Sequence, residues 1–315
     1  MAHVIETKEL TKVYGSGVEA VTAVDHVNLQ IEGGTIFGIL GPNGAGKTTL
    51  ITMLTGLILP SSGSANVFGH DIVRDSLQIR KKVGLLPEGL GFYGNLTAEQ
   101  NLTYIAALND IFRAERDKRV DQALKAVALD EFRDRKVGAF SRGMAQRLGI
   151  AQALIKDPEL LLLDEPTAGV DPEGARVFKD LVSELNSEQG KTVVICTHLL
   201  HEVGPLCTHV AIMHRGEFVT QGRVDEIVER MMVEEGYRIT VEVKGDPEAL
   251  AEELKGSSGI ISLEVEDRNI SVRAASDIRA DIVRAASRKD FEILSIRRLE
   301  PSLEDIFMKE LSRRR

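Results

Sequence analysis

The stretch GILGPNGAGKTTL, Gly38–Leu50, decides the fold. Gly41, Gly46, Lys47 and Thr48 satisfy the spacing G-x-x-x-x-G-K-[ST], and the needs of a phosphate cradle explain each residue type. Glycine lets backbone N–H groups turn inward with no Cβ in the way. The helix that starts at the end of the loop directs its positive dipole end at the anion. Lys47 is placed to reach the β- and γ-phosphates of a nucleotide, and Thr48 to set its hydroxyl on Mg²⁺. Gly41, Pro42, Asn43, Gly44, Ala45, Gly46, Lys47, Thr48 and Thr49 are therefore the candidate binding loop. The apolar run TIFGILG (35–41) precedes it and the amphipathic run KTTLITMLTGLI follows it. That is the strand–loop–helix context the motif requires.

Further short apolar runs lie outward from the loop: KVGLLPE (82–88), ELLLLDE (159–165), TVVICTH (192–198) and HVAIMH (209–214). Continuous runs of this length are expected of parallel strands covered on both faces, so residues 1–230 read as an α/β domain. Thr97, with Gln100 three residues on, has capping-box spacing. Asp171 is an expected helix N-cap, with Pro172 at the first helical position. After about residue 231 the order changes to strand 237–243, helix 246–255, strands 261–267 and 269–274, helix 276–287 and strand 291–298. This βαββαβ order is ferredoxin-like, and a closing helix (301–311) follows. Residues 231–315 are accordingly expected to form a smaller α+β accessory domain.

Bulk properties narrow the class. The chain has 315 residues, 43% hydrophobic and 28% charged, the balance of a globular protein. Its net charge of −9 argues against nucleic acid as a partner. No apolar run approaches the ~18 residues a membrane span needs. The N-terminal MAHVIETKEL lacks the basic start and apolar core of a secretory signal. Cys196 and Cys207 show no metal-type spacing and read as reduced, partly buried thiols of a cytoplasmic protein.

A carboxylate pair supports the loop. LLLLDE places Asp164 and Glu165 at the end of a buried strand. An aspartate there can organise a Mg²⁺ shell, and its neighbour can take a proton from attacking water.

Many NTPases share these parts, and FSRGMAQRLGIAQAL (140–154) separates them. It resembles the signature motif of ABC-type ATPases. The remaining order agrees: Tyr14 ahead of the loop, Glu88 after VGLLP, the signature, Asp164–Glu165, AGVD (168–171) and His198 after the last strand. Over residues 4 to about 230 the chain resembles the ATP-binding subunit of an ABC transporter, with a helical lobe near 88–155. The resemblance implies ATP and Mg²⁺ as ligands, with Thr48, Asp164 and Glu88 at the metal and Lys47, Glu165 and His198 at the chemistry. It implies two copies paired head to tail, with Ser141, Arg142, Gly143 and Met144 of one copy facing the nucleotide of the other. In that arrangement Tyr14 stacks on adenine, Glu165 is the general base, His198 senses the γ-phosphate and Asp171 couples the two sites.

Two departures stand out. Arg142 and Met144 occupy positions where the family usually has glycine and glutamine, and Glu88 replaces a usual glutamine. The accessory domain, ending LEPSLEDIFMKEL (299–311), resembles the group whose permeases are of the ABC-2 type, most of them exporters. The resemblance therefore implies a separate integral membrane permease and a peripheral place on the cytoplasmic face of the membrane. GLGFYGNLTAEQNL (89–102), with Phe92 and Tyr93, is the expected contact edge. The alternative is a soluble ABC ATPase that works as a nucleotide-driven switch.

Overall fold

Five of the apolar runs become neighbouring parallel strands. In the computed structural model, which describes residues 3–256, 258–289 and 291–313, one six-stranded sheet runs in the order Glu217–Arg223, His209–His214, Ile36–Leu40, Thr192–Thr197, Leu160–Asp164, Val83–Leu86. The last five are parallel. Every residue of Ile36–Leu40, Leu160–Asp164 and Thr192–Thr197 is buried, as strands covered on both faces must be. Parallel pairing matters for the site, because it brings the C-terminal ends of these three strands to one edge. Leu40 is opposite Thr197, and Asp164 is opposite Cys196.

A second, antiparallel sheet orders Val21–Glu32, His3–Tyr14, Ser62–Val67 and His70–Asp71. Its apolar residues, Val24, Val27, Leu29 and Ile31 among them, join one core with Leu50, Met53 and Leu54 of the helix after the loop. Helices Ala98–Leu108, Arg113–Ala126 and Arg142–Leu154 pack on one another. The first has the capping box expected at Thr97 and Gln100. The helix Pro172–Ser187 is capped by Asp171, whose Oδ1 accepts from the Gly174 N–H at 2.9 Å.

The described chain divides into two compact units, residues up to 222 and 223–313. In the second, the strand order Ile260–Glu266, Asn269–Ala274, Tyr237–Lys244, Glu292–Leu299 is entirely antiparallel. Counted along the chain this is second, third, first, fourth, the ferredoxin-like arrangement. Ile239, Val241, Val243, Ile270 and Val272 alternate inward against Leu250, Leu254 and Ile282 of helices Pro247–Lys255 and Arg279–Arg288. Helix Val224–Glu235 opens this unit and Leu303–Ser312 closes it. Lys309 ties the two by ion pairs to Glu234 (3.0 Å) and Glu235 (3.1 Å).

Candidate functional site

The loop after Ile36–Leu40 depends on glycine at Gly46. Gly46 holds φ +110°, and a Cβ there would lie 2.1 Å from the Ala23 carbonyl oxygen. Conformation and space both exclude a side chain. Gly46 caps the helix Lys47–Leu54, and the Gly41 N–H donates to the Thr197 carbonyl at 3.2 Å. That bond fixes the loop to the end of the neighbouring strand.

Lys47 is 5% exposed. Its Nζ donates to the carbonyls of Gly41 (2.8 Å) and Pro42 (3.1 Å) and lies 3.4 Å from Glu165 Oε1. The other carboxylate oxygen of Glu165 accepts from Thr197 Oγ1 at 2.9 Å, and His198 Nδ1 is also 2.9 Å away. Glu165 itself is a buried non-glycine residue at φ +47°, a conformation that persists only where its surroundings enforce it. Its N–H donates to Cys196 O (2.8 Å), and its carbonyl accepts from the Ala168 N–H (3.2 Å) and the Gln146 amide (3.1 Å).

Asp164 is 1% exposed, and its Oδ1 has no hydrogen-bond partner among the described residues. Burial pushes its carboxyl above the usual carboxylate range, the nearby Glu165 and Glu88 add to this, and a hydrogen bond with the Thr48 hydroxyl works the other way. An orphaned buried carboxylate oxygen beside a hydroxyl suits a hard cation such as Mg²⁺. Among the described residues no cluster of three His, Cys, Asp or Glu side chains could hold a metal alone. The fit is therefore to a cation that shares its shell with phosphate oxygens and water.

The signature stands at a helix start. Ser141 is the N-cap of Arg142–Leu154 and accepts from the Met144 N–H at 3.2 Å. Arg142 is exposed and lies over the AGVD loop, where a Cβ on Gly169 would come 2.6 Å from its Nε. Signature and AGVD loop thus touch within one chain. Gly143, Met144 and Thr49 are half-buried, whereas Asn43, Gly44, Thr48, Glu88 and Asp171 are exposed. Tyr14 is 41% exposed, with the Lys12 ammonium 5.1 Å from its ring centroid.

Lys47, Thr48, Asp164, Glu165, Glu88 and His198 converge on one sheet edge. Ser141 and Asp171 begin two separate helices, and Tyr14 ends a strand of the other sheet. Sequence reasoning missed Thr197 and Gln146. The sign of Gln146 was an amide on the otherwise apolar stripe Gln146, Gly149, Ile150, Ala153, the i, i+3, i+4, i+7 face of its helix.

A phosphate loop, an acidic strand end and a following histidine on one edge of a parallel sheet define a P-loop ATPase. Residues 24–168 match the ABC transporter family, and residues 222–311 match the C-terminal domain of DrrA1-3-like ATP-binding proteins. The bacitracin transport ATP-binding protein BcrA of Bacillus licheniformis is 36% identical over 98% of this chain and 97% of its own. The linearmycin resistance ATP-binding protein LnrL of Bacillus subtilis is 30% identical over 96% and 97%. The dimeric structure of MJ0796, a bacterial ABC transporter cassette, superposes with a TM-score of 0.64 at 30% identity, covering 70% of this chain and 98% of that one. The chain belongs to the ATP-binding proteins of ABC transporters. It is an ATPase, and no helix among the described residues is long and apolar enough to cross a membrane.

Proposed function

We propose that two copies of this chain hydrolyse ATP at a shared interface and thereby drive export through a separate membrane permease of the ABC-2 type. The observation that carries the reading is the convergence of Lys47, Asp164, Glu165 and His198 on one sheet edge, in a chain that matches antibiotic transport and resistance proteins over nearly its whole length. Those names favour an outward direction. The dimeric cassette favours a paired active form.

In this account the loop from Gly41 to Thr49 holds the triphosphate through backbone N–H groups, and the Lys47 ammonium neutralises its terminal charge. Thr48, Asp164 and Glu88 would hold Mg²⁺. Bound there, the ion would offset charge on the β- and γ-phosphates. Glu165 accepts a proton from water as the water oxygen attacks the γ-phosphorus, and the bond to the ADP oxygen breaks. His198, at 39% exposure, can reach the γ-phosphate while its Nδ1 stays on Glu165. Tyr14 offers an exposed ring face to adenine. Ser141, with its hydroxyl hydrogen free to donate, and the backbone of Gly143 contact the γ-phosphate of the partner copy. Arg142 adds positive charge there, and Asp171 couples the two sites.

The helical lobe is the permease-facing surface. Tyr93 is 50% exposed and packs edge-on against Tyr104, while Phe92 is half-buried. Exposed aromatic rings suit an interface anchor. The chain would then sit on the cytoplasmic face of the membrane. The test is a tagged pull-down from gently solubilised native membranes. A multi-span membrane protein in near-equal amount supports the account; recovery of soluble partners alone would make this a cytoplasmic switch.

A further inference from the structure

We infer that Gln146 is a positioning residue for ATP hydrolysis: its side-chain amide, carried on the signature helix, holds the Glu165 peptide so that the carboxylate faces the loop. The inference rests on the assignment of Glu165 as general base. Gln146 is 6% exposed and lies on the buried stripe of Arg142–Leu154. An amide among Gly149, Ile150 and Ala153 costs stability unless it is hydrogen-bonded. Its partner is the carbonyl of Glu165, reached at 3.1 Å.

That carbonyl belongs to a residue at φ +47°, which does not hold its conformation unaided. The peptide on one side is fixed by Cys196 O, and the one on the other by Ala168 N–H and Gln146. The side chain is in turn held by Thr197, Lys47 and His198. Removing the Gln146 donor frees the carbonyl end of this chain of constraints and lets the carboxylate turn. The helix has little slack, because a Cβ on Gly149 would meet Leu86 and Leu90 at 2.6 Å. It begins at Ser141, the residue proposed to touch the partner copy's nucleotide. A shift of the helix at that nucleotide therefore reaches Glu165 of its own chain through one amide.

The experiment compares wild type, Gln146→Met, Gln146→Glu and Glu165→Gln for kcat, KM and binding of trinitrophenyl-ATP. Met conserves length and volume but donates no hydrogen bond; Glu in its ionised form also donates none and would repel the carbonyl. Expected is a kcat roughly 3- to 10-fold lower in Gln146→Met, the effect of one neutral hydrogen bond, and lower still in Gln146→Glu, with KM and nucleotide binding unchanged. Unchanged kcat in Gln146→Met, with Glu165→Gln inactive, overturns the role of Gln146 and leaves Glu165 as the base. Parallel loss of kcat and nucleotide binding shows that Gln146 only supports the core, and also overturns it. Retained hydrolysis in Glu165→Gln removes the base assignment, and the inference with it.

Discussion

Asp164 shows the trade between stability and chemistry in one side chain. Its carboxyl is raised by burial, so the folded state binds its proton more tightly than the unfolded chain does. The sign follows. Stability falls as pH rises from the ordinary aspartate value through the raised one, and the penalty is complete above both. Asp164→Asn should therefore raise the Tm of the nucleotide-free protein at neutral pH, with the gain fading in acid, while ATPase activity is lost. A Tm that does not rise at neutral pH would contradict this. Glu88→Gln removes a carboxylate that acts on Asp164 and should raise the Mg²⁺ concentration needed for half-maximal turnover. Unchanged Mg²⁺ dependence would exclude a role for Glu88 at the metal. The side chains that meet at this sheet edge were legible in the sequence as candidates because phosphate and proton transfer demand particular side chains at fixed spacing. Gln146 and Thr197 were not, because each only hydrogen-bonds Glu165, at its backbone or its carboxylate, and many side chains can make such a bond.

Among the elements, the strand–loop–helix from Ile36 to Leu54 is the least tolerant. Gly46→Ala places a methyl against the Ala23 carbonyl at a φ that alanine avoids. Nucleotide binding should fall by about 10-fold or more, the cost of a strained backbone, measurable by equilibrium titration. Both thiols are buried, Cys196 in the core that this element shares. Burial raises Cys207 to about 12 and pushes Cys196 well above its ordinary value. Neither should react with an aromatic disulfide until the protein unfolds, and fast labelling of the native protein would contradict their burial. The buried parallel strands could be read from sequence because their apolar runs are unbroken. The long strands His3–Tyr14 and Val21–Glu32 could not. Glu9 at φ +49° and His26 at φ +46° interrupt them, and the paired register shifts break the period-two alternation that marks a strand.

At the scale of the whole molecule, the ferredoxin-like order of the second unit was legible because its strands alternate and its helices are amphipathic. The proposed composite site rests on motif order and the family resemblance, since in that reading half of each site lies on another copy. Ser141 and Asp171 each start a helix other than the one that follows the phosphate loop, and in the paired reading they serve the nucleotide of a second chain. The decisive measurement is the mass of Glu165→Gln in solution with and without Mg-ATP, beside its ATPase rate. Turnover should fall by roughly 100-fold or more, the usual contribution of a general base. With Mg-ATP the mass should double from 34.5 kDa. A variant that binds ATP yet stays at the monomer mass would contradict the paired site on which the account depends.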